Sequence, residues 1–147
     1  MTAATVRQMT VEDLPAVYRL GTRCYDLHDK PYNYWSVREV ADHVEGSPEL
    51  CFVAEADGEV VGFALAAPSY EILADTGHLE WLAVDGSRRR DGLATRLVDA
   101  VVEALRALGR RDVVADVSSA NEGSRALFAR AGWSEGISVT FFTRRLR

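Results

Sequence analysis

Apolar residues along this chain repeat with two periods, one near two and one near 3.6, and the switches between them mark the elements. Thr5 to Met9 reads as an opening strand. Thr10, with Asp13 three residues on, resembles a capping box. The helix that follows places Leu14, Val17, Tyr18 and Gly21 on one face and fades near Tyr25. Asp26 to Trp35 is a loop, broken by Pro31 and Asn33, and the aromatics Tyr25, Tyr32, Tyr34 and Trp35 crowd here. Its aromatics either cap the core edge or wall a substrate pocket. Ser36 caps a second helix through Val37, Val40, Ala41 and Val44, ending at Gly46. Leu50–Ala56 and Glu59–Ala67 are strands joined by Asp57-Gly58, a two-residue hairpin signal.

A further strand starts at Gly77. Strict alternation puts His78, Glu80, Leu82 and Val84 on one face, with Leu79, Trp81 and Ala83 on the other. After the turn at Asp85-Gly86-Ser87, a long helix carries Leu93, Leu97, Val101, Leu105 and Leu108 as its core stripe. Asp112 to Val117 has the length of a buried strand. Asn121 caps a short helix with Ala126, Leu127 and Ala129, which stops at Gly132. Trp133 to Arg147 alternates Val139, Phe141 and Thr143 and reads as one or two closing strands. The order β-α-α-β-β-β-α-β-α-β describes a mixed α/β single domain over residues 1–147.

Composition narrows the classes. At 147 residues, with 48% apolar and 27% charged, the chain has the make-up of a soluble globular domain. No apolar run approaches the length of a membrane span, and the N-terminus lacks a secretory pattern, so a cytoplasmic protein is expected. Net charge of −5 argues against nucleic-acid affinity. Cys24 and Cys51 fit no metal spacing and read as buried free thiols. His28 and His43 read as surface residues, and no metal is expected.

Against this acidic background Arg88-Arg89-Arg90 stands out. It precedes Asp91, then Gly92, Leu93, Ala94 and Thr95 at the start of the long helix. A helix N-terminus offers free N–H groups and the positive end of its dipole, and a glycine lets an anion approach closely. The residues suit a phosphate, yet neither the P-loop nor the dinucleotide fingerprint matches.

Arg89-x-x-Gly92-x-Ala94 resembles the signature of the GNAT superfamily of acyl-CoA-dependent N-acetyltransferases. Asn121, Leu127-Phe128 and Ala131-Gly132-Trp133 resemble its second motif, so the likeness spans the chain. It implies a mixed, mostly antiparallel sheet splayed at the central strand, with helices on both faces. It implies that the backbone of Leu82, Ala83 and Val84 pairs with the coenzyme's pantetheine arm. Arg89, Arg90, Asp91, Gly92, Leu93, Ala94 and Thr95 would cradle the pyrophosphate, and Asn121 and Phe128 would border the coenzyme. Acetyl-CoA would be the co-substrate and an amine, small molecule or protein, the acceptor.

Direct attack needs a base to take the ammonium's proton, and Glu80 and His78 are the candidates. Family members often carry a tyrosine where this chain has Phe128, a hydroxyl thought to protonate the leaving thiolate. Here water, or Tyr32, Tyr34 or Tyr70, would serve, or the domain binds acyl-CoA without turnover. The region from Pro31 to Ser36 resembles relatives that acetylate protein N-termini. Dimers through terminal strands are common in the family, a contact that Phe141-Phe142 would make.

Overall fold

The computed structural model describes residues 3–28, 30–89 and 91–147. Five strands form one sheet in sequence order: β1 (Thr5–Gln8), β2 (Cys51–Ala56), β3 (Glu59–Ala67), β4 (Thr76–Val84) and β5 (Asp112–Ala115). The first four pair antiparallel, and β4 pairs parallel with β5. Helices α1 (Leu14–Cys24) and α2 (Val37–Gly46) cover one face; α3 (Leu93–Ala107) and α4 (Glu122–Arg130) lie on the other. This is the mixed, mostly antiparallel sheet with two covered faces that the sequence implies.

Local chemistry accounts for the element ends. Asp57 and Gly58 both take positive φ, 53° and 77°, as a tight two-residue turn between right-twisted strands requires. The Asp13 carboxylate accepts the Thr10 backbone N–H at 2.9 Å and is gripped by Arg7 at 2.8 and 2.9 Å, which fixes the entry to α1. Ser36 Oγ accepts from the Glu39 amide and starts α2.

Each face has its own core. Leu97, Val98 and Val101 of α3 are fully buried over β2 to β4, each contributing about 1.5–3 kcal/mol. On the other face Val17 and Leu20 of α1 and Val40 of α2 pack on Val53, Phe63 and Leu65. Trp35 stacks on Phe63 with ring centroids 5.3 Å apart, so this aromatic belongs to the core. It lies so close to α1 that a Cβ on Gly21 would stand 2.2 Å from its ring.

Three expectations about elements are corrected. The stripe of α3 ends at Leu105; Leu108 lies past the helix end and is exposed. The edge strand β5 stops at Ala115, short of the expected Val117. Trp133 to Arg147 form no strand: alternation alone does not make one, and this segment has no ladder partner among the described residues. Ile137 and Phe142 are each 93% exposed, and every residue past Trp133 is exposed.

The sequence register on β4 is also corrected. Leu65 pairs with Trp81 and Ala66 with Leu79, so Glu80 is the extra residue of a β-bulge. The bulge resets the alternation. Leu79 packs with Leu82 and Val84 toward α3, whereas Trp81 and Ala83 pack toward α1 and α2. Glu80 turns to the α2 side, where it meets His43.

Candidate active site

The pairing of β4 with β5 ends at Leu79 and Ala115. From Glu80 onward that edge of β4 is open. The Asp85 amide donates to the Val61 carbonyl, so by alternation the Ala83 backbone turns to Phe63 on β3. Leu82 and Val84 turn to the open edge instead. The Tyr25 hydroxyl donates to the Leu82 carbonyl at 3.0 Å, and the Cys24 thiol lies 3.8 Å from the Val84 carbonyl. Of the three residues expected along a pantetheine arm, Leu82 and Val84 thus present backbone to the gap and Ala83 does not.

The gap opens into a cavity of about 380 Å³. One wall is Tyr25, Asp26, Tyr32 and Tyr34, from α1's end and the loop after it. The floor is Leu79 to Leu82, and the far wall is Ala115 to Ser118 with Asn121, Ser124 and Phe128. The aromatic loop is therefore divided: Trp35 joins the core, while Tyr32 and Tyr34 line the pocket. Asn121 caps α4 through the Ser124 amide at 3.0 Å, as its sequence position suggests. The Phe128 ring packs edge-on against Trp133 with centroids 4.8 Å apart. Cys24 is only half-buried and borders this cavity, whereas Cys51 is fully buried.

Below the cavity, α2 supplies a titratable cluster. Glu80 Oε2 accepts from the Tyr34 hydroxyl at 2.5 Å, and Oε1 lies 3.1 Å from His43 Nε2. Glu39 Oε2 accepts from the Trp81 indole at 2.7 Å and lies 3.8 Å from His43 Nε2. His43 is 7% exposed, not a surface residue. Glu39 and His43 are four apart on one helix face, and that spacing was the overlooked signal. Side-chain oxygens of Glu39 and Glu80 and a ring nitrogen of His43 all lie within 4.8 Å of one another.

Environment separates the two acids. Burial, then the nearby Glu80 carboxyl, pushes Glu39 up to about 7. Burial works against ionising Glu80 as well, but hydrogen bonds with His43, Glu39 and Tyr34 outweigh it and lower that group. Burial also opposes charging His43; its contacts with Cys51 and Glu80 prevail and raise the ring to about 10. Burial pushes both the Tyr25 and Tyr34 hydroxyls up, so both stay protonated at neutral pH.

The structure brings His78 and Glu80 together, with Nδ1 3.9 Å from Oε1. His78 Nε2 is engaged by Asp116 at 2.7 Å, and the Tyr70 ring stands edge-on to the imidazole. Asp116 escaped the sequence reading; it lies in no motif, and only the fold places it at the gap.

The anion cradle sits where β4 leads into α3. Gly92 has φ 74°, and a Cβ there would meet nothing within 4 Å. No side chain caps the helix start among the described residues. The first-turn amides of Leu93, Ala94 and Thr95 have no carbonyl within the helix to bond. Arg89 is exposed beside them. Arg88 is instead buried, with a guanidinium nitrogen 4.0 Å from Asp91 Oδ2. Arg90 lies outside the described residues. Open space over free amides, with a cation alongside, fits a pyrophosphate.

Known proteins identify the family. Residues 14–133 match the model of the Acetyltransferase (GNAT) family. The catalytic subunit of the N-terminal acetyltransferase A complex of Arabidopsis thaliana is 35% identical over 101 residues, 68% of this chain and 50% of that protein. The chain thus spans half the length of this relative. The ribosomal protein bS18-alanine N-acetyltransferase of Escherichia coli (strain K12) is 27% identical over 89% of this chain and 81% of its own. A solved aminoglycoside N-acetyltransferase in complex with CoA superposes with a TM-score of 0.78 at 26% identity, covering 99% of this chain and 97% of that one. The chain belongs to the GNAT family of acyl-CoA-dependent N-acetyltransferases.

Proposed function

We propose that the protein transfers the acetyl group of acetyl-CoA to a primary amine by direct attack within a ternary complex. One observation carries the reading: a single cavity is walled by the open edge of β4, Asn121 and Phe128 on the coenzyme side and by Glu80 on the other. The Gly92 cradle and the amides of Leu93 to Thr95 would hold the pyrophosphate. Leu82 and Val84 would guide the arm into the gap, with Tyr25 yielding the Leu82 carbonyl.

An alkylammonium is protonated at neutral pH and must lose a proton before it attacks. Glu80, fixed by His43 and Tyr34, faces the amine and receives that proton. His78, held by Asp116 and close to Glu80, orients the carboxylate. Phe128 offers no hydroxyl to the leaving thiolate. Tyr25, Tyr32 and Tyr34 all line the cavity and carry protons to give, and a thiolate leaves well with little acid help. Tyr70 lies outside that lining.

The acceptor is an amine in all three relatives described above, by their names a protein N-terminus, a ribosomal-protein alanine or an aminoglycoside. Asp26, Glu80 and Asp116 give the cavity an acidic lining suited to an ammonium. Two unpaired cysteines support a cytoplasmic setting, and no described helix is long and apolar enough to cross a membrane.

Phe128 favours one other reading, a domain that binds acyl-CoA without turnover. Thiol release from acetyl-CoA, measured across a panel of peptides, polyamines, amino acids and aminoglycosides, separates the two. Acetylation of at least one amine supports the transferase. Saturable coenzyme binding with no release on any amine supports the second reading.

A further inference from the structure

The α2 cluster carries a consequence for how the proton is taken, and it rests on acetyl transfer at Glu80 as proposed above. His43 Nδ1 lies 3.1 Å from the Ala66 carbonyl, which has no hydrogen to give, so Nδ1 is the donor. Nε2 faces a Glu80 oxygen at 3.1 Å and a Glu39 oxygen at 3.8 Å. A bare lone pair in that position would repel both, so a proton lies there too. One imidazolium then faces two carboxyl groups that are mostly buried, with side chains 18% and 15% exposed. One more proton makes the cluster neutral.

Its place follows from the donors. Both oxygens of Glu80 already accept, one from His43 and one from Tyr34. Glu39 accepts from the Trp81 indole at Oε2 alone. Standing by itself between two strong donors, Glu80 would be a poor base. The bulge that turns Glu80 toward α2 makes the two carboxyls neighbours.

We infer that Glu39 is a positioning residue that makes Glu80 an effective base: the two carboxylates on the α2 side take up one proton as a pair, with protonated His43 fixed between them. The working state is the dianionic pair. The ammonium gives one proton to it and becomes a neutral amine. The nitrogen lone pair forms the N–C bond at the thioester carbonyl, and the C–S bond breaks with its electrons on sulfur. The nitrogen's second excess proton goes to the thiolate, and the proton on the pair returns to solvent. Other groups facing the cluster are Cys51 from β2, His78 on β4 and Asp116 beyond it.

The test compares wild type, Glu39→Gln and Glu39→Asp by kcat against pH at saturating acetyl-CoA and one saturating amine. The same amine in every variant removes its own ionisation from the comparison. Wild type should lose rate as pH falls through about 7, where the pair protonates before the amine can use it. Gln keeps an acceptor for the Trp81 indole but removes the shared charge. Its acid limb should move down by more than about one pH unit, and kcat at pH 8 should fall at least about tenfold. Asp should restore the neutral limb in part. An unchanged limb in Glu39→Gln, with the fold intact by melting temperature, overturns the inference while leaving acetyl transfer standing.

A second measurement needs no turnover. In carboxyl-13C-glutamate protein without substrate, the Glu39 and Glu80 resonances should move together near neutral pH, and Glu80 should titrate far lower in Glu39→Gln. Independent midpoints in wild type overturn the pair. A joint midpoint in a protein that acetylates no amine would sink the transferase reading and leave the carboxylate pair intact.

Discussion

At the residue scale, Gly92 and His43 carry distinct loads. Gly92→Glu places a carboxylate over the helix start, where negative charge now has to share space with a pyrophosphate. A Cβ there meets nothing, so only the left-handed backbone is strained, at about 1 kcal/mol. The variant should fold, and its acetyl-CoA affinity by calorimetry should fall at least about a hundredfold, the equivalent of losing about two charge-assisted bonds. Wild-type affinity would remove the cradle from the site.

His43 links the site to stability. Its folded value, about 10, lies above the ordinary 6.5. A raised group of this kind stabilises fully below 6.5 and loses that contribution as pH rises toward 10. Glu80 runs the other way: held below its ordinary 4.5, its contribution is present above 4.5 and fades as pH falls. Melting temperature should therefore decline between pH 7 and 10 by several degrees, and His43→Gln should flatten that decline. A wild-type curve level to pH 10 would show that His43 is not held charged.

At the element scale, the lesson lies in β4 and α1. Gly21→Ala puts a methyl into the Trp35 ring and should cost about 1–3 kcal/mol, seen as a lower melting temperature. No loss would mean that Trp35 moves aside freely. The helices, the Asp57-Gly58 turn and the caps at Ser36 and Asn121 were legible because each depends on residues within four positions. The bulge at Glu80 was not. Alternation along one strand contains no information about how its partner counts residues, and Leu65 and Ala66 set that count. For the same reason the terminal segment, with strand-like alternation at Val139 and Phe141, was misread. A strand is made by a neighbour's backbone, and no neighbour is encoded locally.

At the scale of the whole molecule, the parting of β4 from β5 is what turns these parts into a site. The proposed cradle could be put forward from sequence because its chemistry is contiguous, from Arg89 to Thr95. The acceptor side was legible only in part: Glu80 and Tyr25 stood out in the sequence, but Glu39, His43 and Asp116 come from other elements that meet Glu80 only in the folded sheet. The central claim is that Glu80, at that convergence, takes the amine's proton. Kinetics of wild type and Glu80→Gln on the amine the panel selects, with acetyl-CoA affinity measured in parallel, test it most directly. The account predicts that kcat falls about a hundredfold or more while acetyl-CoA affinity stays within about twofold. Equal losses in turnover and affinity would make Glu80 structural, and undiminished turnover would contradict the account.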